Sequence, residues 1–130
     1  MNQKQYCTQQ LQSLAQEVSK QAPFADASET LPLSESDQRF IDTLQFLADE
    51  QTTHDEEFFQ KGQWLIGQCV ANQAHVTALI PRDLFWYFGG DCLHFMPDEE
   101  ISQFQQLDEA CHASDNSDYQ EERARILGLH

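Results

Sequence analysis

The most constraining feature of the chain is a run of five bulky apolar residues at positions 84–88, Leu-Phe-Trp-Tyr-Phe. Pro81 precedes the run and the pair Gly89-Gly90 follows it. Because proline suits the start of a helix and glycine its end, this pattern predicts a short helix stopped by a left-handed glycine cap. A helix that is apolar on every side must be covered on every side. We therefore expect a core centred on residues 58–96.

The charge distribution supports this placement of the core. Residues 62–97 contain three charged side chains, Arg82, Asp83 and Asp91. Arg82 and Asp83 are expected either to pair with helix neighbours or to form salt bridges across the fold. The flanking segments carry most of the acidic residues and are expected to form the surface around the core.

The remainder of the chain shows the apolar spacing of helices and no sustained alternation typical of strands. The spacing of apolar residues predicts a first helix over residues 3–21, followed by a loop over residues 22–34. Further helices are expected to begin near Ser34 or Ser36, near Thr53, at Pro97 and at Ser117, which are residue types common at helix starts. The sequence thus predicts an all-α fold, a single domain over residues 1–130 built as a bundle of five or six helices.

Two glycines have specific predicted roles in these helices. Gly62 interrupts the apolar stripe of the third predicted helix, which suggests that another backbone passes close by. Gly128 is expected to end the last helix.

The net charge of −15, from 22 acidic and seven Lys plus Arg residues, limits the possible partners. Such a surface repels phosphates and anionic lipids, so we expect no binding to nucleic acid and none to membranes. It suits a basic protein partner or cations. The first 20 residues are polar, no apolar run approaches membrane length, and the four cysteines are widely spaced. We expect a cytoplasmic protein with reduced thiols and no cofactor.

The aromatic residues of the run, Phe85, Trp86, Tyr87 and Phe88, allow three interpretations. They form the central helix of the bundle, the interface of a homodimer, or the wall of a small-molecule pocket. The homodimer is our expectation for the oligomeric state.

Asp91 and His94 are the residues with the clearest chemical potential. Three positions apart, they would share one face of a helix and could hold a metal or act as an acid–base pair, with His54 as a further ligand. The structural alternative, which we favour, makes Asp91 the N-cap of a short turn and His94 a packed, hydrogen-bonded ring. Cys92, near the same helix start, could carry a lowered thiol pKa.

The segment at residues 81–101, PRDLFWYFGGDCLHFMPDEEI, resembles the signature block of a family of short uncharacterised proteins from Gram-negative bacteria. The resemblance covers the middle of the chain and implies a bacterial cytosolic protein. It carries over no catalytic residue.

Two hypotheses for function follow. The first is a non-enzymatic protein that interacts with another protein or with itself, using part of the aromatic run. The alternative is a small metal-binding protein or enzyme centred on Asp91 and His94.

Overall fold

The structure, a computed structural model, describes residues 1–113 and 117–128, and every regular element in those ranges is helical. This confirms the all-α prediction. The elements are α1 (Gln3–Ser19), α2 (Glu35–Ala48), α3 (Glu56–Asn72), α4 (Ala74–Thr77), α5 (Arg82–Phe88), α6 (Asp98–His112) and α7 (Tyr119–Leu127), with two 3-10 turns at Phe24–Asp26 and Gly90–Phe95.

The described ranges contain more α-helices than the five or six expected, because α4 is a single turn and too short to show a periodic pattern. The single-domain prediction over 1–130 includes residues 114–116 and 129–130, which lie outside the described ranges, and it stays a prediction. Within the described ranges, none of the helices has the length and apolar character needed to cross a lipid bilayer.

Side-chain caps mark the starts of α1, α2, α3 and α7. Ser34 caps α2 as predicted, its hydroxyl accepting a hydrogen bond from the backbone N–H of Asp37 at 3.1 Å. The predictions of Thr53 and Ser117 as caps are wrong. Asp55 caps α3 and Asp118 caps α7. A carboxylate accepts the same hydrogen bond and also interacts favourably with the positive helix start, so it is at least as good a cap as a hydroxyl.

The buried side chains form one hydrophobic cluster. In chain order, α1 packs on α2 and α2 on α3, while α6 packs on α7. The short helix α5 contacts α1, α3 and α6, so it lies among the longer helices as its sequence predicted. Leu84, Phe85 and Phe88 are buried, and Trp86 and Tyr87 are half-buried. The interpretation of the run as a central helix is therefore correct for three of its five side chains.

Gly62 allows α3 and α5 to approach each other closely. The predicted close neighbour exists, but it is the ring of Phe88 and not a backbone. A Cβ atom at position 62 would lie 2.1 Å from the Cδ1 and Cε1 atoms of that ring. Gln63 in the next position donates a hydrogen bond from Nε2 to the carbonyl oxygen of Phe88 at 2.9 Å. The end of α5 is thus held against α3 by this close approach, by ring contacts of Phe88 with Phe58 and Phe59, and by the hydrogen bond from Gln63.

The glycine pair ends α5, as predicted, but without the predicted left-handed cap. Gly89 has φ 63° and ψ −148°, a region of backbone conformation that is essentially restricted to glycine. Gly90 follows with φ 57°. The chain therefore turns sharply at this pair and enters the 3-10 turn Gly90–Phe95.

Asp83 is the one buried charged residue among the described positions, with 1% of its surface exposed. Arg123 of α7 contacts it through two hydrogen bonds of 2.7 Å, from Nε and Nη2, and the hydroxyl of Tyr119 donates a third at 3.2 Å. The hydrogen bonds to Asp83 raise the pKa of Arg123. Of the two options for Asp83, the salt bridge across the fold is correct.

We expect Gly62→Ala to destabilise the protein by about 1–3 kcal/mol, because the new methyl group forces the Phe88 ring out of its position. Gly67→Ala in the same helix is the matched control. Its Cβ would meet no atom within 4 Å, so it should stabilise by up to about 1 kcal/mol through helix propensity. Urea unfolding measures both changes. Equal effects of the two substitutions would contradict the close contact at Gly62.

Asp83→Asn should cost about 3–5 kcal/mol of unfolding free energy, because it leaves the Arg123 guanidinium largely buried without its counter-charge. Glu100→Gln is the control, since it removes a carboxylate that pairs with the more exposed Arg82 at 2.9 Å and should cost under about 1 kcal/mol. Thermal and urea denaturation would show the difference. Similar losses of unfolding free energy in both variants would mean that the buried Asp83–Arg123 ion pair contributes no more than an exposed one.

Candidate functional site

A groove of about 830 Å³ runs along the surface between α2 and α3 and is the candidate site. Its α2 wall follows helical spacing through Glu35, Arg39, Asp42 and Phe46, so these side chains share one face of the helix. The remaining lining residues are Pro32, Leu33, Gln38, Thr43, Gln60, Lys61 and Trp64. The apolar faces of both helices pack into the core.

Two half-buried aromatic rings form the floor of the groove, and a cation lies over each. The guanidinium carbon of Arg39 is 4.2 Å from the ring centroid of Trp64, and the Lys61 ammonium is 4.4 Å from that of Phe46. Such cation–π contacts contribute about 0.5–1 kcal/mol each at exposed sites. Each contact thus places the charged group of one helix above a ring of the other.

The charged groups of the groove differ in how they are paired. Lys61 forms a second contact with Glu57, at 3.2 Å. Asp42 accepts a hydrogen bond from Gln38 Nε2 at 2.8 Å. Over the described part of the chain, Glu35 and Asp42 form no ion pair with any Lys or Arg. The groove therefore presents two carboxylates whose charge is not compensated by a direct salt bridge.

Sequence reasoning missed this groove, although the chain contained a signal for it. Phe46 and Trp64 are large aromatic residues that fall outside the apolar stripes of their helices. An apolar side chain off the stripe cannot reach the core by helix geometry alone and is left at the surface. Their proximity to each other depends on how α2 packs on α3, which the sequence alone does not specify.

The half-buried members of the aromatic run use their polar atoms inside the chain. Trp86 stacks on Phe104 with ring centroids 5.9 Å apart and donates a hydrogen bond from Nε1 to Asp108 at 3.1 Å. Tyr87 hydrogen-bonds His54 through its hydroxyl group. These contacts link α5 to α6 and to the start of α3. The interface and pocket interpretations of the run now concern only the exposed parts of Trp86 and Tyr87, and they stay predictions.

Asp91 and His94 lie on the surface, and both structural predictions for them are wrong. Their side chains are 99% and 81% exposed, and His94 Nε2 is 3.9 Å from Asp91 Oδ1. Gly89, not Asp91, precedes the 3-10 turn, and no side chain caps that turn. The turn points these two side chains outward, so His94 is not packed. The prediction for His94 failed because apolar neighbours in the sequence do not decide which way a side chain faces in a short 3-10 turn.

His54 does not complete a metal site with this pair. Its ring stacks on Phe58 with centroids 3.8 Å apart, and its Nδ1 lies 2.5 Å from the Tyr87 hydroxyl oxygen. In residues 1–113 and 117–128, no three His, Cys, Asp or Glu side chains are grouped closely enough to hold a metal ion. Burial lowers the pKa of His54, because it penalises the charged imidazolium.

The cysteines are free thiols, and three of the four, Cys7, Cys69 and Cys92, are buried. Burial raises the pKa of Cys92 to about 11 and that of Cys69 to about 12. The possibility of a lowered pKa at Cys92 is therefore wrong. Its neighbour Asp91 adds to the shift, since a nearby negative charge also disfavours the thiolate.

The lowered pKa of His54 makes stability depend on pH. The unfolded chain binds a proton at this ring near pH 6.5, and the folded chain does so only at lower pH. The contribution of neutral His54 is therefore complete above about pH 6.5 and is lost as the pH falls through the folded pKa. His54→Gln should reduce the loss of stability between about pH 7 and 5, because glutamine does not titrate. Urea unfolding at several pH values in this range measures the free energy of unfolding of both proteins. An equal decrease in wild type and His54→Gln would contradict the prediction.

Comparisons with known proteins give one family. No curated protein matches the chain, and no solved structure matches it either. The family model described as PA2817-like matches residues 1–129. The match confirms the family resemblance inferred from residues 81–101 and extends it to nearly the whole sequence, including both ends, which had suggested no relative. On this evidence the chain belongs to the PA2817-like family.

Proposed function

We propose that this protein is a non-enzymatic interaction protein that binds a partner protein through the groove between α2 and α3. The observation that carries the proposal is the floor of the groove, where Trp64 and Phe46 lie half-buried under Arg39 and Lys61. Tryptophan and arginine are the side chains that most often dominate binding energy at protein interfaces. Here they occur together in a concave surface on two packed helices.

The packing of α2 and α3 prepares this surface for binding. Phe40, Leu44 and Leu47 of α2, with Leu65 and Ile66 of α3, are buried in the core and hold the two helices in place. A partner therefore meets side chains on a fixed backbone and loses little conformational entropy by ordering it. A groove between two helices is also a common receptor for an amphipathic helix of another protein.

Self-association through the same groove is less favourable than binding another protein. Each copy carries a net charge of −15, so two copies repel each other at long range. A homodimer would have to overcome this repulsion with apolar contacts. We therefore place a different protein in the groove and treat the homodimer as a distinguishable outcome.

The test is site-specific photo-crosslinking in cells, with the crosslinker at Thr43 in the groove or at Gln120 on α7. We expect a discrete crosslinked partner from Thr43 and not from Gln120. Gln60→Trp, which places a large side chain in the groove, should remove that crosslink. Gln106→Trp, at a position on α6 that is also exposed, is the matched control and should leave it intact.

The partner is then identified by mass spectrometry, purified and titrated against the same variants. A loss of affinity of about tenfold or more for Gln60→Trp alone supports the proposal, as expected for obstruction of the centre of an interface. Equal crosslinking from Thr43 and Gln120, or no effect of Gln60→Trp, contradicts it. A crosslink to a second copy of the chain would replace the proposed partner with a homodimer.

A further inference from the structure

We infer that the partner segment is a basic amphipathic helix that places an apolar side chain on the groove floor and Lys or Arg side chains on Glu35 and Asp42. This inference rests on the proposed function and specifies the chemistry of the partner. It follows from three properties of the groove: the unpaired carboxylates, the engaged cations and the surrounding charge.

The two groove carboxylates that form no salt bridge, Glu35 and Asp42, set the position of the partner's charges. Glu35 and Asp42 are seven residues apart on α2, two turns of the helix, and both line the groove. Their backbone positions are separated by about 10 Å along the helix axis. Two basic residues at the same spacing on a partner helix would reach both carboxylates together, and the intervening turn would face the floor.

The cations of the groove are already engaged. Arg39 lies over Trp64, and Lys61 lies over Phe46 while also contacting Glu57. An acidic partner residue would have to compete with these contacts, whereas a basic residue would meet Glu35 and Asp42 without displacing a cation. The engaged side chains act as part of the floor, because their aliphatic stems offer contact to an apolar side chain.

The charge around the groove favours a basic partner at longer range. The segment from residue 35 to residue 57, which forms α2, the connection and the start of α3, has eight acidic residues and one basic residue, Arg39. The acidic residues are Glu35, Asp37, Asp42, Asp49, Glu50, Asp55, Glu56 and Glu57. Such a field accelerates the encounter with a positively charged segment and slows that with a negatively charged one.

The experiment uses the full chain and three labelled synthetic helical peptides, each about four turns long. All three carry two leucines in the middle, flanked by two residues seven positions apart that are Lys, Gln or Glu. Binding is measured by fluorescence anisotropy at low and physiological salt. The Lys peptide should bind most tightly and should lose affinity as salt is added, since its charge contacts are exposed to solvent.

Two double variants distinguish direct contact with Glu35 and Asp42 from long-range attraction by the acidic surface. Glu35→Gln with Asp42→Asn removes the two groove carboxylates and should weaken Lys-peptide binding about tenfold, as expected for two exposed charge pairs. Glu99→Gln with Glu109→Gln removes the same charge from exposed positions on α6 and should weaken it less than about twofold. Circular dichroism verifies that all variants are folded.

Each outcome bears on a stated conclusion. Tighter binding of the Glu peptide overturns the inference that the partner is basic. Equal weakening by the two double variants overturns the placement of the partner's charges on Glu35 and Asp42. If Gln60→Trp still removes the crosslink to the cellular partner, the proposed function stands and only the partner class is wrong. If Gln60→Trp leaves the crosslink intact, the groove is not the binding surface and both conclusions fail.

Discussion

The arrangement of the helices depends on one buried carboxylate. Asp83, in the first turn of α5, is 1% exposed and receives three hydrogen bonds from α7, two from Arg123 and one from Tyr119. Arg123 also lies 5.2 Å from the ring centroid of Tyr6 in α1. An unpaired charge in this position would be strongly destabilising, so the fold that buries Asp83 must also bring α7 to it. The Asp83–Arg123 ion pair thereby joins α5 to α7, and the contact of Arg123 with Tyr6 adds α1.

This constraint explains how a poorly amphipathic last helix keeps its place. Tyr119 is the one fully buried residue of α7, and Ile126 and Leu127 pack against the core while only partly buried. Hydrogen bonds to Asp83 and contacts with α6 and α1, among them the Tyr6–Tyr119 ring contact, hold α7 in position. Buried polar contacts of this kind require particular geometry, whereas apolar packing tolerates sliding, so they select one arrangement among several of similar burial.

The candidate groove is a consequence of the same packing. With α5 placed among α1, α3 and α6, the ring of Phe88 fills the space above Gly62, and α3 also packs on α2. Trp64 and Phe46 cannot enter a core that other side chains already fill. They remain half-buried at the surface, where Arg39 and Lys61 cover them. Two of the few cations in a strongly acidic chain are thus used to shield aromatic rings, and nearby carboxylates are left without a cation.

The sequence by itself determined the helical class, the position and end of the central helix, and the start of α2 and α6. These features depend on local properties: apolar spacing, proline and glycine preferences, and capping side chains. The family assignment also follows from sequence, and the block at residues 81–101 was enough to suggest it. Capping preferences could not decide between neighbouring residues that are all good N-caps. The caps of α3 and α7 are therefore Asp55 and Asp118, and not Thr53 and Ser117 as predicted.

Only the tertiary structure decided the partner of Asp83, the exposure of Asp91 and His94, and the existence of the groove. Asp83 and Arg123 are 40 positions apart, and no periodicity relates them. His94 was expected to be packed because its neighbours are apolar, and Asp91 was expected to cap the turn, yet the 3-10 turn directs both side chains into solvent. The physical reason is that side-chain proximity and exposure depend on how helices pack on one another, and helix packing is set by all of the buried surfaces together.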